Sequence, residues 1–254
     1  MMSQALLRQI PDSDEPDYSH IITEDDTPVD NLFSEKQRRL LTEPLNSSWQ
    51  PGRLFLAASD VGVFYDLKKP PVVPDMFLSL DVRPADDIWE KKNRSYFLRE
   101  FGKPPEIAVE IVSNTEGGET TRKFGIYAQA GIRYYIIFDP QCIIQKDVLR
   151  TYELSGNAYI PNLGRYLPQA GLGPRLWKGI FEGRYDLWLR WCDREGRLIP
   201  TGAERAEAEY RRAETAQLRA EAEYCRAETE QRRAEKLAEK LRSLGIDPDE
   251  MTDG

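Results

Sequence analysis

At 254 residues the chain is long enough for one domain of about 150 to 200 residues with a real core, plus appendages, and it does not read as two globular domains. Three cysteines (Cys142, Cys192, Cys225) at no metal-ligand spacing argue against a disulfide framework, and no run approaches the roughly 18 apolar residues of a membrane span, so a soluble protein of the reducing cytoplasm is expected. The formal charge of −8 looks unfavourable for binding nucleic acid, but its placement along the chain removes that objection.

Residues 12–30 carry eight acids and no Lys or Arg, and the four acids after Ile246 add to them, which leaves +3 for residues 31–246. The first 30 residues, with three prolines and no apolar period, predict an acidic, disordered lead-in. Its first residues lack a basic-then-apolar secretory pattern, so an unprocessed N-terminus is expected. The only histidine, His20, falls there, so a metal site in the core would have to be built from oxygen.

Residues 34–41 read as a short helix with Ser34 as N-cap and Glu35 in its first turn. Short β-type runs follow at 54–57, 61–65 and 76–82, and suggest a meander leading into the next strands. Residues 89–103 interleave Lys91, Lys92, Arg94, Arg99 and Lys103 with aromatics, a pattern that suits DNA phosphates and splayed bases, or equally a solvated loop with an apolar underside. The apolar run 107–112 is interrupted only by Glu110. After the turn-rich 113–118, Lys123 opens a helical pattern that leads into a second apolar strand, 134–138. Residues 149–154 and 158–160 predict a hairpin turning through 155–157, and 187–192 is a strand turning at 193–196. The body is therefore mixed α/β.

From Ala203 to Arg242 there is no Gly or Pro, and ten acids balance ten bases. Residues 208–215 return almost unchanged at 222–229, a period of two heptads, with an alanine row from Ala206 and an offset row of Tyr210, Gln217, Tyr224 and Gln231. Such a thin seam leaves a weak coiled coil and a solvated single helix both open. Gly245 stops the helix and Pro248 seals the stop.

Glutamate is almost never buried unless it is paired or holds a metal, so Glu110 needs a reason. With Asp75, after Pro74, and Lys123 at one end of a strand-helix-strand crossover, it makes the set a metal-dependent phosphodiester hydrolase requires. Mg²⁺ takes a few carboxylates plus water, which suits Asp75 and Glu110 as ligands, and Lys123 would act on the attacking water or on transition-state charge. Against this stand plainer roles: a strand polar satisfied by a buried cation for Glu110, a turn for Asp75, and a surface ion pair with Glu119 for Lys123.

The stretch from Pro74-Asp75 through residues 105–113, then 122–132 and 134–140, resembles the Uma-two family of endonucleases, of the PD-(D/E)XK restriction-nuclease superfamily. In combination, E-x-x-S, K-x-x-x-Y-A-x-x-G and a D-P strand end are specific, and the likeness covers roughly 31–200. The resemblance implies a restriction-endonuclease-like mixed sheet flanked by helices over 31–202, with a charged helix or coiled coil at 203–244 and an acidic tail at 245–254. It also implies a DNA endonuclease that depends on Mg²⁺ or Mn²⁺, acts as a homodimer, uses Asp75, Glu110 and Lys123, and takes Glu35 as a further ligand or leaves it as surface. One departure matters: the superfamily's lysine two places after the strand acid is Val112 here, and Lys123 on the following helix is the family's apparent substitute. The competing class is a catalytically inactive nuclease fold that binds DNA or recruits partners through its tail.

Overall fold

The computed structural model describes residues 31–113, 122–164 and 166–245. The acidic lead-in, Glu119 and the tail beyond Gly245 lie outside the described residues. The chain divides into two units, residues 1–201 and 202–254.

The first unit is a mixed α/β body. It opens with α1 (Leu32–Ser47), whose N-cap is Asn31: its side-chain oxygen accepts from the Phe33 and Ser34 amides. The cap expected at Ser34 is thus three residues early, and Ser34 is buried instead. The central sheet has six strands in the order β1 (Phe55–Ala58), β3 (Met76–Leu80), β5 (Ile107–Ile111), β6 (Tyr134–Phe138), β7 (Leu149–Ser155) and β8 (Ala158–Pro161). Only β5 and β6 run parallel, joined by the crossover that contains α3 (Arg122–Ala130). The predicted meander is not formed. The run 61–65 yields only β2 (Val63–Phe64), which leaves the sheet to pair in parallel with β4 (Tyr96–Phe97), where Phe64 stacks on Phe97.

Every residue of β3, β5 and β6 is buried, as expected of strands covered on both faces. Alternation assigns the two faces. Ile107, Val109 and Ile111 join a cluster with Leu41 and Leu45 of α1, whereas Ala108 and Val112 join one with Tyr127 and Ala130 of α3. The hairpin of β9 (Gly173–Phe181) and β10 (Arg184–Cys192) adds Leu189 and Trp191 to the α1 side. Gln37, fully buried, both donates to the Leu189 carbonyl and accepts from its amide, so one side chain does the work of a neighbouring strand. Trp191 Nε1 donates to the Leu41 carbonyl at 2.8 Å.

The second unit is α4 (Gly202–Ser243), a 42-residue helix with no buried residue. Removing residues 203–254 should leave the melting temperature of the body unchanged within about 2 °C, since the helix contributes nothing large and apolar to a core. A circular-dichroism melt checks this, and a truncated chain that is insoluble or melts well below the full chain sinks it.

Candidate active site

Asp75 stands one step beyond the last paired residues of β3 and β5, Met76 and Val109, which sets it beside Glu110 across the strands. Its Oδ2 accepts from the Ile111 amide at 2.7 Å and its Oδ1 from Arg38 Nη1 at 3.1 Å. Arg38, buried on α1, also reaches Asp60 Oδ2 at 3.0 Å, so one guanidinium spans two carboxylates.

Glu110 lies in the middle of β5 and is 1% exposed. Its side chain points to the α3 side of the sheet, where two donors one helical turn apart meet it. Lys123 Nζ donates to Oε2 at 2.7 Å and the Tyr127 hydroxyl donates to Oε1. Lys123, predicted as either a site residue or a surface partner of Glu119, thus has Glu110 as a buried partner. Val112, where the superfamily's lysine would stand, is a buried member of the α3-side core.

Burial dominates the electrostatics. It pushes the Glu110 carboxyl up from 4.5 to about 8, with Asp75 adding to the rise and Lys123 and Tyr127 opposing it. Burial likewise raises Asp75, opposed by the Ile111 amide and Arg38. Tyr127 is pushed well above 10 by its own burial and by Glu110, so it stays a hydroxyl that donates.

The sheet brings Asp75, Glu110 and Lys123 together and leaves the other candidates elsewhere. Glu35 is half exposed and pairs with Arg39 at 2.7 Å. Among the described residues no three His, Cys, Asp or Glu side chains group as a metal site, so Glu35 does not complete one with Asp75 and Glu110. In the basic segment, Lys91 and Lys92 form a 3-10 turn, Arg94 Nε donates to the Trp89 carbonyl, and Arg99 is exposed on the short α2 (Leu98–Phe101). Lys103 is held by the Leu80 carbonyl and Glu106. Tyr96 and Phe97 are buried, which leaves Trp89 as the strongly exposed ring of that segment.

Sequence reasoning missed Tyr127 and Arg38, and both had a signal. Tyr127 is four residues after Lys123, on the same helix face. Arg38 and Gln37 share a face with Leu41 and Leu45, so two polar residues stand where α1 is buried.

Residues 9–162 match the protein-family model Uma2, described as "Putative restriction endonuclease". The chain belongs to this restriction-endonuclease-like family. A solved structure from Anabaena variabilis, described as "a putative nuclease belonging to DUF820", is similar at 15% identity over 55% of this chain and 72% of that one, with a TM-score of 0.38. No curated protein matches.

The raised Glu110 pKa makes a pH prediction with a definite sign. Between about 4.5 and about 8 the folded chain holds a proton that the unfolded chain releases, so this group's contribution is full below 4.5 and is lost as pH rises through 8. In chelator, wild type should therefore lose stability relative to Glu110→Gln as pH goes from 5 to 8. Thermal melts at four pH values check this, and parallel curves for the two proteins would refute it.

Proposed function

We propose that this chain is a divalent-metal-dependent DNA endonuclease that works as a homodimer, with Asp75 and Glu110 as the metal-holding carboxylates and Lys123 as the residue that acts on water and phosphate. The observation that carries the reading is a carboxylate in the middle of a fully buried strand, beside a second carboxylate and 2.7 Å from a lysine amine. The donor set fits Mg²⁺ or Mn²⁺: two hard oxygen ligands in a partly dry setting, no nitrogen or sulfur donor, and carboxyl groups that burial makes costly to ionise unless a cation is near.

A divalent cation bound there supplies positive charge against the phosphate oxygens and acidifies water. The chain's own residues do the rest. Tyr127 fixes the Glu110 carboxylate by one oxygen, and Arg38 with the Ile111 amide fixes Asp75, so neither has to reorganise when charge develops. Lys123, 21% exposed at its side chain, is reached by solvent where its partner Glu110 is not. Its ammonium can orient a water or balance charge on a phosphate oxygen.

One observation favours a second reading, a nuclease fold without chemistry that binds DNA or recruits partners. Each oxygen of Asp75 and Glu110 already has a protein donor, as in a closed structural network. Plasmid nicking with Mg²⁺ or Mn²⁺, with and without chelator, separates the two. Lys123→Ala should lose cleavage by a factor of about 100 or more. It should keep the metal-induced rise in melting temperature, because the lysine does not hold the ion. Cleavage within a few fold of wild type would return Lys123 to a structural role. Tyr127→Phe, which frees Glu110 Oε1, should cost about 1 to 3 kcal/mol of stability and weaken the metal-induced rise, measured by melts in chelator and in millimolar Mn²⁺. An unchanged melt in both conditions would contradict the role given to Tyr127.

A further inference from the structure

Two strand ladders, extended past their last pairs, set three carboxylates in a row. β1 and β3 pair from Phe55 with Leu80 to Ala58 with Phe77, and two further steps bring Asp60 opposite Asp75. β3 and β5 pair Met76 with Val109, and one further step brings Asp75 opposite Glu110. Cations stand within the row: Lys123 donates to Glu110, and Arg38 lies between Asp75 and Asp60.

Asp60 differs from the other two. Its side chain is 46% exposed, against 11% for Asp75 and 2% for Glu110, and its backbone is in the left-handed region at φ 55°. Among the described residues no three carboxylates group as metal ligands, so Asp60 is not a third ligand beside Asp75 and Glu110. What it holds is Arg38.

Arginine commonly meets a carboxylate with two parallel N–H groups. Arg38, buried on α1, divides them instead: its Nε is 3.0 Å from Asp60 Oδ2, and its Nη1 donates to Asp75 Oδ1 at 3.1 Å. A carboxylate offers about four lone-pair sites. Asp75 receives Nη1 on one oxygen and the Ile111 amide on the other, which leaves it acceptor capacity for a cation. Without the charge of Asp60 the guanidinium is drawn to Asp75, and two N–H groups there would cover the oxygens a cation needs.

We propose that Asp60 is a positioning residue of the site: by holding Arg38 Nε it keeps the guanidinium from closing on Asp75 as a two-pronged clamp, and so keeps Asp75 able to take a divalent cation. The inference rests on the metal site of the proposed function and adds to it a residue outside the ligand set. It also accounts for a buried arginine beside a metal-holding carboxylate, since the arginine is tethered from its other side.

The probe is Mn²⁺ alone, bound by the full chain and followed through the electron paramagnetic resonance signal of the free ion. Asp60→Asn removes the charge and suits the position, because asparagine enters the left-handed region readily. It should weaken Mn²⁺ binding about tenfold or more. In an Arg38→Gln background, with no guanidinium to close on Asp75, the same substitution should cost less than about threefold, the share left to screened long-range attraction. Arg38→Lys serves if Arg38→Gln does not fold: one ammonium cannot form the clamp, and the same small loss is expected.

Equal losses with and without the arginine would mean that Asp60 acts on the cation directly, and would overturn the positioning role. Mn²⁺ binding that Asp60→Asn leaves unchanged would overturn it too, and would make Asp60 a structural partner of Arg38. Glu110→Gln separates these failures from a failure of the metal site. If Glu110→Gln loses Mn²⁺ binding and Asp60→Asn does not, the positioning role alone fails. If Glu110→Gln binds Mn²⁺ as tightly as wild type, the metal site and the role of Asp60 fail together.

Discussion

A glutamate without water around it is the constraint on which the body of this protein depends. Ionising a carboxyl in a strand buried on both faces costs several kcal/mol unless donors are fixed around it. The sheet cannot supply those donors, because the neighbours of Glu110 along β5 are aliphatic and its backbone is spent on ladder pairing with β6. They come from α3, and the helix period places Lys123 and Tyr127 one turn apart, so that each takes one oxygen. The docking of α3 and the ionisation of Glu110 are thus coupled: lifting the helix removes the two donors that oppose the rise of its pKa.

Asp75 is held by a different part of the fold. Arg38 comes from α1, whose apolar residues lie in the cluster on the other side of the sheet from Tyr127. The charge of Arg38 is compensated there by Asp75 and Asp60, which share its guanidinium. The same helix uses Gln37 to bind Leu189 and so fastens the β9 and β10 hairpin to the core. Two helices from opposite faces therefore each contribute a cation to one pair of adjacent carboxylates, and each also packs apolar residues against its own side of the sheet. That is the usual way a charged cluster is kept in place at a rigid position.

What could be read from the sequence follows from which signals are local. The apolar runs of β3, β5 and β6, the hairpin of β7 and β8, and the long α4 announce themselves by composition and period, and Glu110 announces itself by breaking one. Elements defined by distant partners were not legible. Val63–Phe64 looks like any short strand, but it pairs with Tyr96–Phe97, another two-residue strand over thirty residues away, and not with the run beside it. The strand Gly173–Phe181 begins with Gly-Pro and alternates poorly, and its pairing with β10 is what makes it a strand. At the site, chain order suggested Asp75, Glu110 and Lys123, whereas Tyr127 and Arg38 needed the helix faces to be assigned first.

That position 112 is a valine and that the amine on Glu110 comes from a helix has consequences of its own. A lysine two positions after Glu110 would be fixed by β5 alone, and its side chain would share the face that Ala108 and Val112 give to the core. With Val112 there, that face is closed by an aliphatic side chain, and the amine approaches from the side where solvent reaches Lys123. The core gains a buried methyl pair in place of a chain that would have had to pass through it. The charge, in turn, comes to rest on a helix with packing of its own. Phe124, next to Lys123, packs edge-on against Tyr152 and Tyr159 of β7 and β8, so the far edge of the sheet helps to set where the lysine stands. Position at the site is thereby tied to an aromatic cluster that reaches it through Tyr135, which packs on both Phe124 and Tyr127.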